Sequence, residues 1–318
     1  MANVYFCPKS QKLRAINYRV ILTTLISIFC YLTGTEKVRA QDNVDQDWIF
    51  KNSKTLSELW ELDEEHHRGT FLITSYKPIY FSLGKFSTNT NKNPQSEQRD
   101  NSLPQPIDLN VFETKFQLSM KTKVFYKVLW GKADVWAAYS QKAYWQIYNK
   151  ELSRPFRETN YEPEIILNFP MNFTVLGFKG RMLGAAFVHE SNGRSDPLSR
   201  SWNRLSFHAG FDKGPWQLIV KNWFRLGGSN DDNPEISDYI GRGEAQLIYD
   251  WGRQRLSAIG RHSLRLGEKN RGSLQLNYTF PIIKNFSGHV QVFNGYGESL
   301  IDYNHRQTTF GLGVSLIN

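Results

Sequence analysis

The feature that most restricts the fold of this chain is a repeated alternation of apolar and polar residues. Leu205 and Phe207 share one parity with Asn203, whereas Arg204 and Ser206 occupy the other. Because successive side chains of a β-strand point to opposite faces, such a segment has one apolar face and one polar face. Segments of this kind recur along most of the chain, which predicts an all-β protein.

Twelve such segments can be counted, and their apolar faces suit lipid while their polar faces suit a water-facing lumen. They lie near residues 70–86, 109–125, 133–148, 163–171, 174–190, 202–212, 215–225, 236–250, 255–265, 272–282, 286–295 and 308–317. Long connections such as 87–108 and 149–162 alternate with tight turns such as 212–215 and 251–254. A soluble β-sandwich is the alternative, but a sandwich is not expected to alternate long connections with tight turns. We therefore predict a transmembrane antiparallel β-barrel of about twelve strands.

The N-terminal 40 residues have the pattern of a secretory signal peptide. A basic region precedes an apolar run over 20–32, and Val38-Arg39-Ala40 fits a cleavage site. An uncleaved membrane anchor is the alternative, although the run is shorter than the ~20 residues of a spanning helix. Both cysteines, Cys7 and Cys30, lie in this segment, so the rest of the chain has no thiol for a disulfide or a nucleophile.

Removal of residues 1–40 would also take away most of the net positive charge. The segment holds six Lys or Arg and one Glu, so the 39 basic and 30 acidic residues of the chain become 33 and 29. A net charge of +4 offers little attraction for nucleic acid, and we expect no nucleic-acid partner. We interpret the polar, acidic residues 41–68 as a periplasmic N-terminal tail and residues 69–318 as the barrel.

Candidate chemistry lies at the end of the fifth predicted strand. His189 and Ser191 are two residues apart and share a face with the apolar Phe187. The sixth predicted strand starts near Asn203, so antiparallel pairing would put Asn203 beside His189 on the lipid-facing wall. Ser191 could attack an ester carbonyl, His189 could move its proton, and Asn203 could fix the imidazole tautomer. The plainer interpretation is that these are polar residues at a barrel rim.

The loop between these two strands adds oxygen donors. Its Asn192-Gly193 pair favours a tight turn, and Gly193 would let a backbone N–H approach an oxyanion closely. The other polar residues of the loop are Arg194, Ser195, Asp196, Ser199 and Arg200. Together with Asp231-Asp232-Asn233 in another loop, they could hold a hard cation such as calcium. Solvated loops are also rich in Asp and Ser, so the pattern leaves both interpretations open.

Residues 189–204, which read His-Glu-Ser-Asn-Gly-Arg-Ser-Asp-Pro-Leu-Ser-Arg-Ser-Trp-Asn-Arg, closely resemble the signature of the outer-membrane phospholipase A family. Segments 153–163, 231–234 and 295–304 are similar to the same family, and the resemblance runs from near Thr70 to the C-terminus. It implies a calcium-dependent phospholipase A1 and A2 of the bacterial outer membrane, active as a homodimer. The implied substrates are phospholipids and lysophospholipids, cleaved at their sn-1 and sn-2 acyl esters.

The resemblance also implies roles for individual residues. Ser191 matches the nucleophile, His189 the base, Asn203 its orienting partner and Gly193 an oxyanion donor. The implied calcium ligands are Ser199, the Arg194 carbonyl, Ser153 from the other subunit, and Asp232 in the monomeric form, with Asp196 nearby. Gln141, which stands among apolar neighbours on the outward face of the third predicted strand, matches an interface glutamine of the family.

Two other functions are compatible with this sequence. The first is a non-enzymatic barrel, such as a porin or an adhesion protein, although an intact Ser191, His189 and Asn203 set argues against it. The second is a serine esterase that acts on other outer-membrane esters, which only substrate tests separate from a phospholipase. If the protein is an enzyme, we expect its active site on the lipid-facing wall, toward the outer leaflet.

Overall fold

The computed structural model describes residues 54–227, 231–283 and 286–316, so the predicted signal peptide lies outside the described residues. The strands are β1 (Thr74–Ser75), β2 (Tyr80–Ser87), β3 (Phe112–Lys127), β4 (Ala133–Trp145), β5 (Glu158–Val175), β6 (Phe178–Ser191), β7 (Ser201–Lys213), β8 (Trp216–Leu226), β9 (Gly243–Trp251), β10 (Gln254–His262), β11 (Gly272–Ile283), β12 (Phe286–Gly295) and β13 (Gln307–Leu316). The helices are α1 (Leu56–Trp60), α2 (Val128–Gly131) and α3 (Ile236–Tyr239), and 3₁₀ turns cover Glu64–His66, Arg99–Asn101 and Gly267–Lys269. Within these described ranges, no helix is long and apolar enough to cross a membrane.

Strands β2 to β13 close into a barrel. Each strand pairs antiparallel with its neighbours in sequence, and β13 returns to β2, where Phe310 lies opposite Phe86. The two residues of β1 pair with Met120 and Lys121 of β3, the strand that also pairs with β2. The prediction of an all-β antiparallel barrel of about twelve strands is confirmed.

Two of the predicted segments contain an interruption or a helix and are strands over only part of their length. The segment predicted as 70–86 is broken between β1 and β2, where Lys77 forms ion pairs with Glu162 and Glu164 of β5. The segment predicted as 236–250 begins with α3 and becomes a strand only at Gly243. In α3, Asp238 forms ion pairs with Arg242 and Lys269, so both departures from strand geometry have ionic contacts that alternation does not encode.

The two faces of each strand differ sharply in chemistry. In β7, Leu205 and Phe207 are exposed on the outer wall, whereas Arg204, Ser206 and Asp212 are buried. Many buried charges of the lumen form ion pairs with residues distant in the chain, as in Lys85–Glu113 (2.8 Å), Lys115–Glu298 (2.7 Å) and Arg204–Glu162 (2.7 Å). A β-barrel that crosses the hydrocarbon region of a membrane needs such an apolar outer wall around a hydrogen-bonded polar interior.

Helix α1 lies against lumen-facing side chains. It begins with a capping box, in which Thr55 and Glu58 bond to each other's backbone N–H. Trp60 packs edge-on against Trp136 of β4 at 5.5 Å, and the Leu56 N–H donates to Asp212 of β7. The described part of the predicted tail, residues 54–68, thus contributes to the core inside the barrel.

Candidate active site

The pairing of β6 with β7 brings together the two residues that sequence alternation places on one face. His189 lies directly opposite Asn203, and its Nδ1 is 2.8 Å from the Asn203 Oδ1 atom. Both residues are half-buried, on the same outer face as Phe187 and Leu205. A hydrogen bond between two polar side chains therefore stands on an otherwise apolar wall.

This hydrogen bond determines which imidazole nitrogen can act as a base. An amide oxygen only accepts hydrogen bonds, so His189 must carry its proton on Nδ1 to donate to Asn203. The Nε2 atom is then left with a free lone pair, which is the state that a general base requires. Asn203 provides this orientation without placing a charge against hydrocarbon, where an unpaired carboxylate would be unfavourable.

Ser191 lies two residues beyond His189, at the end of β6. It pairs with Ser201 of β7 and with Tyr161 of β5, and its side chain is half-buried on the outer face. Among the described residues, no hydrogen bond joins its hydroxyl to His189. Contacts between nucleophile and base are often longer in a free enzyme than in its substrate complex, so this geometry is compatible with catalysis.

The inward-pointing residues of the same hairpin form an ionic anchor. Glu190 accepts hydrogen bonds from the Trp202 indole N–H (2.9 Å) and from Arg204 (3.0 Å). The Arg204 guanidinium stacks 4.0 Å above the Trp202 ring and reaches Glu162 of β5 at 2.7 Å. These contacts fix the backbone of both strands from the lumen side, directly behind His189 and Asn203.

Gly193 lies two residues after Ser191, in a conformation that favours glycine. Its φ angle is +62°, and an added Cβ would lie 3.1 Å from the Tyr161 ring. Among the described residues, no acceptor receives a hydrogen bond from the Gly193 N–H. A free backbone donor next to Ser191 has the chemistry required of an oxyanion donor.

The structure brings some of the predicted calcium ligands together and leaves Ser153 apart from them. The Ser199 hydroxyl donates to Asp232 Oδ2 at 2.6 Å, so the structure brings these two together. Asp196 lies close by and accepts from the Asn101 side chain at 2.8 Å. Ser153 lies in the loop between β4 and β5, where its carbonyl accepts from the Trp145 indole, and no contact joins it to Ser199 within the described ranges.

The oxygen chemistry of this region fits calcium. Calcium prefers hydroxyl, carbonyl and carboxylate oxygens, and Ser199 and Asp232 supply two of these in direct contact. The Arg194 carbonyl has no hydrogen-bond donor among the described residues, so it is available as a third. Over the same ranges, no cluster of three or more His, Cys, Asp or Glu residues could hold a metal by itself. A calcium site here would therefore depend on serine and backbone oxygens and on further donors.

Comparison with known proteins places the chain in a family. The family model for phospholipase A1 matches residues 56–316. This chain belongs to the phospholipase A1 family. The phospholipase A1 of Klebsiella pneumoniae is 37% identical to it over 252 residues, which make up 79% of this chain and 85% of that protein.

Two solved structures are similar to this family member over most of its length. Outer membrane phospholipase A from Escherichia coli has 37% sequence identity and a TM-score of 0.70, covering 77% of this chain and 98% of that one. The outer membrane phospholipase of Salmonella typhi, described as a dimer with bound calcium, has 36% identity and a TM-score of 0.71. That match covers 81% of this chain and 96% of the other. The barrel and its relatives confirm the predicted location in the outer membrane.

Gln141, the predicted interface residue, lies on the outer wall of β4. It pairs with Leu118 of β3 and Tyr161 of β5, and its side-chain oxygen accepts from the Tyr139 hydroxyl at 3.0 Å. Its side chain is half-buried in this family member. The structure places it on the lipid-facing surface, and its role in a dimer stays a prediction.

Several residues around the site were not singled out from the sequence. Asn101, far away in the chain, contacts both Asp196 and the Ser199 carbonyl. Glu190 and Trp202 form the inner anchor of the hairpin. Their alternation with His189 and Asn203 is visible in the sequence and could have indicated lumen-facing partners, whereas nothing local points to Asn101.

Proposed function

We propose that this chain is a calcium-dependent phospholipase of the outer membrane. In this proposal it hydrolyses sn-1 and sn-2 acyl esters of phospholipids and lysophospholipids through Ser191, His189 and Asn203. The observation that carries the proposal is the 2.8 Å contact between His189 and Asn203 on the outer wall, beside Ser191. Strand structure does not require a histidine–asparagine hydrogen bond on an apolar wall, whereas ester hydrolysis does require an oriented base.

The first half of the reaction transfers the acyl group to the protein. The Ser191 hydroxyl oxygen bonds to the ester carbonyl carbon while its proton passes to His189 Nε2. Negative charge develops on the carbonyl oxygen, where the Gly193 N–H can donate to it. The bond between the carbonyl carbon and the glycerol oxygen then breaks, and the proton on His189 moves to that oxygen. The products are an acyl-serine and a lysophospholipid.

The second half regenerates the free serine. His189 removes a proton from a water molecule, whose oxygen attacks the acyl carbon. Collapse of this second tetrahedral species breaks the bond to the Ser191 oxygen, which recovers the proton from His189. Asn203 keeps Nδ1 protonated throughout, so Nε2 is the nitrogen that exchanges protons in each step.

Calcium would be held by the Ser199 hydroxyl, the Arg194 carbonyl and, in a dimer, Ser153 of a second copy, with Asp232 as a ligand in the monomer. When bound, the ion would stabilise the charge that develops on the carbonyl oxygen. The Salmonella typhi relative, described as a calcium-bound dimer, supports both the metal and the assembly. The location of Ser191 on the wall rather than in the lumen supports a substrate that arrives from the membrane.

The test is fatty-acid release by the protein extracted in detergent. Substrates would be mixed micelles of phospholipids labelled at sn-1 or at sn-2, and a lysophospholipid, with calcium or with excess chelator. We expect release from all three with calcium, little with chelator, and at least a ~10⁴-fold loss in Ser191→Ala. Ser273→Ala, in a strand that pairs with neither β6 nor β7, is the matched control and should retain full activity.

Three outcomes would contradict parts of the proposal. No release from a folded, calcium-loaded protein would indicate a barrel without this chemistry. Hydrolysis of an added short-chain ester, but of none of the three lipids, would favour a general esterase. Full activity in Ser191→Ala would reject Ser191 as the nucleophile while leaving the activity intact.

A further inference from the structure

The loop that joins β6 to β7 is closed at its base by two residues. The Asn192 N–H donates to the Arg200 carbonyl at 3.0 Å, and the Asn192 side-chain oxygen accepts from the Arg200 N–H at 3.0 Å. The same oxygen accepts from the Arg194 N–H, and the Asn192 amide group donates to the Leu198 carbonyl at 2.7 Å. Residues 192–200 therefore form a compact unit that starts directly after Ser191.

Arg200 occupies the centre of this unit with a fully buried side chain. Its guanidinium donates to the carbonyls of Ser199 (2.6 Å), Pro197 (3.2 Å) and Asn101 (2.7 Å). Among the described residues, no carboxylate lies within ion-pair distance of it. A buried cation held by several backbone carbonyls orders those carbonyls, because each one is an acceptor that the charge needs.

The Arg200 guanidinium also joins this loop to two others. Asn101 belongs to the loop between β2 and β3, and the Tyr303 ring, in the loop between β12 and β13, lies 5.8 Å from the guanidinium carbon. Burial lowers the pKa of the Arg200 guanidinium and raises the pKa of the Tyr303 hydroxyl. The three loops thus share one buried side chain.

The consequence for the metal-binding atoms is specific. Arg200 donates to the Ser199 carbonyl, and the hydroxyl of the same residue donates to Asp232 at 2.6 Å. The Arg194 carbonyl, at the other end of the loop, stays without a donor among the described residues. The carbonyls that accept hydrogen bonds from Arg200 are therefore used within the protein, whereas the Ser199 hydroxyl and the Arg194 carbonyl are available to a cation.

We infer that Arg200 is a positioning residue that sets the calcium affinity of the β6–β7 loop by fixing the backbone that carries the Ser199 hydroxyl. The inference rests on the proposed calcium-dependent function. Among the described residues, the Arg200 side chain has no contact with Ser191, His189 or Asn203, so we expect its effect on binding of the ion rather than on the proton transfers of His189. Lysine cannot replace it, since a single ammonium group lacks the planar fork that reaches three carbonyls in different directions.

The experiment compares Arg200→Lys with a matched control, Arg255→Lys, in which the arginine pairs with Asp250 at 2.6 Å and touches no residue of the β6–β7 loop. Calcium affinity is measured by titration calorimetry on folded protein in detergent, in a Ser191→Ala background that prevents lipid turnover. We expect affinity to fall roughly 10–100-fold in Arg200→Lys, as for other residues that orient metal ligands, and to stay unchanged in the control. With Ser191 restored, excess calcium should return kcat of Arg200→Lys to near the parent value.

Each result decides the inference. Parent-like calcium affinity in Arg200→Lys would overturn it, and so would a loss of kcat that calcium does not restore. If Arg200→Lys fails to fold, Arg200→Gln, which is uncharged and donates fewer hydrogen bonds, replaces it with the same expectation. A parent protein that hydrolyses lipid without binding calcium would overturn the calcium proposal together with this inference, whereas tight binding in both parent and variant would overturn this inference alone.

Discussion

The two faces of the β6–β7 hairpin place polar side chains in opposite environments. On the lumen face, Glu190 and Arg204 are buried and bonded to each other, to Trp202 and to Glu162. On the lipid face, the one hydrogen bond of the His189 side chain within the described residues is to Asn203, and Phe187 and Leu205 lie on the same face. The inner residues share a network in which each charge has a partner, whereas the outer pair is isolated.

This difference separates a structural role from a chemical one. Buried ion pairs in a lumen satisfy one another and hold the strands that carry them, so their presence has a structural reason. A polar pair on a lipid-facing wall is unfavourable for stability and has no such reason, which indicates function. In the proposed mechanism, the inner face of the hairpin therefore fixes the backbone, and its outer face carries His189, the proposed base.

The largest effect is expected from breaking the inner face. Glu190→Ala removes the acceptor for Trp202 and one of the two carboxylates that bind Arg204. We expect the free energy of unfolding to fall by about 3 kcal/mol, because a buried charge loses part of its compensation. The measurement is urea-induced unfolding in lipid vesicles, followed by tryptophan fluorescence.

The control for this change is Glu65→Ala, since Glu65 is exposed in the N-terminal segment. Its substitution should leave the unfolding free energy within ~0.5 kcal/mol of the parent value. If Glu190→Ala is equally harmless, the inner face does not anchor the hairpin, and the proposed division of roles is wrong.

A substitution on the outer face should lower activity without lowering the free energy of unfolding. Asn203→Ala leaves His189 Nδ1 without its acceptor, so both tautomers and more than one ring orientation become available. We expect kcat to fall ~100-fold, or about 2.7 kcal/mol in activation free energy, while the free energy of unfolding is unchanged or rises. Kinetics on mixed micelles with saturating calcium, combined with urea unfolding of the same preparation, would measure both quantities.

Two variants sharpen this result. Asn203→Asp keeps an acceptor for the imidazole and should retain more activity than Asn203→Ala. Asn294→Ala, which removes an exposed amide from β12, should have parent-like kinetics. Equal losses in Asn203→Ala and Asn294→Ala would show that outer polar residues act through lipid contact rather than through His189.

Much of the fold could be predicted from the sequence because strand alternation is a local property. The segment predicted as 286–295 coincides with β12, and 272–282 differs from β11 by one residue. The breaks after β1 and before β9 were not predicted, because they depend on partners distant in the chain, such as Glu162 for Lys77. The contact of α1 with Trp136 is equally non-local, and the polar sequence around it suggested only a tail.

In the candidate site, too, local contacts could be predicted from the sequence and contacts between distant loops could not. The pairing of His189 with Asn203 follows from two adjacent strands and a short loop, so parity and direction are enough to place both side chains. The contacts of Arg200 with Asn101 and Tyr303 join loops that lie about 100 residues apart in sequence, and no pattern predicts them. Resemblance to a family supplied candidate roles for Ser199 and Asp232, but not the side chain that orders them.

The smallest effect is expected for a substitution of Gln141, which also lies on the outer wall. Gln141→Leu replaces an amide whose internal partner is the Tyr139 hydroxyl, so the monomer loses little. If this amide also bonds to a second copy, dimerisation should weaken by about 1 kcal/mol, or roughly fivefold, as for other polar contacts between membrane segments. Sedimentation in detergent with calcium measures this directly, and Asn294→Leu, also outward-facing, is the matched control. Equal dimerisation of both variants would remove Gln141 from the interface, and the lipid-facing wall would then keep His189, Ser191 and Asn203 as its functional polar residues.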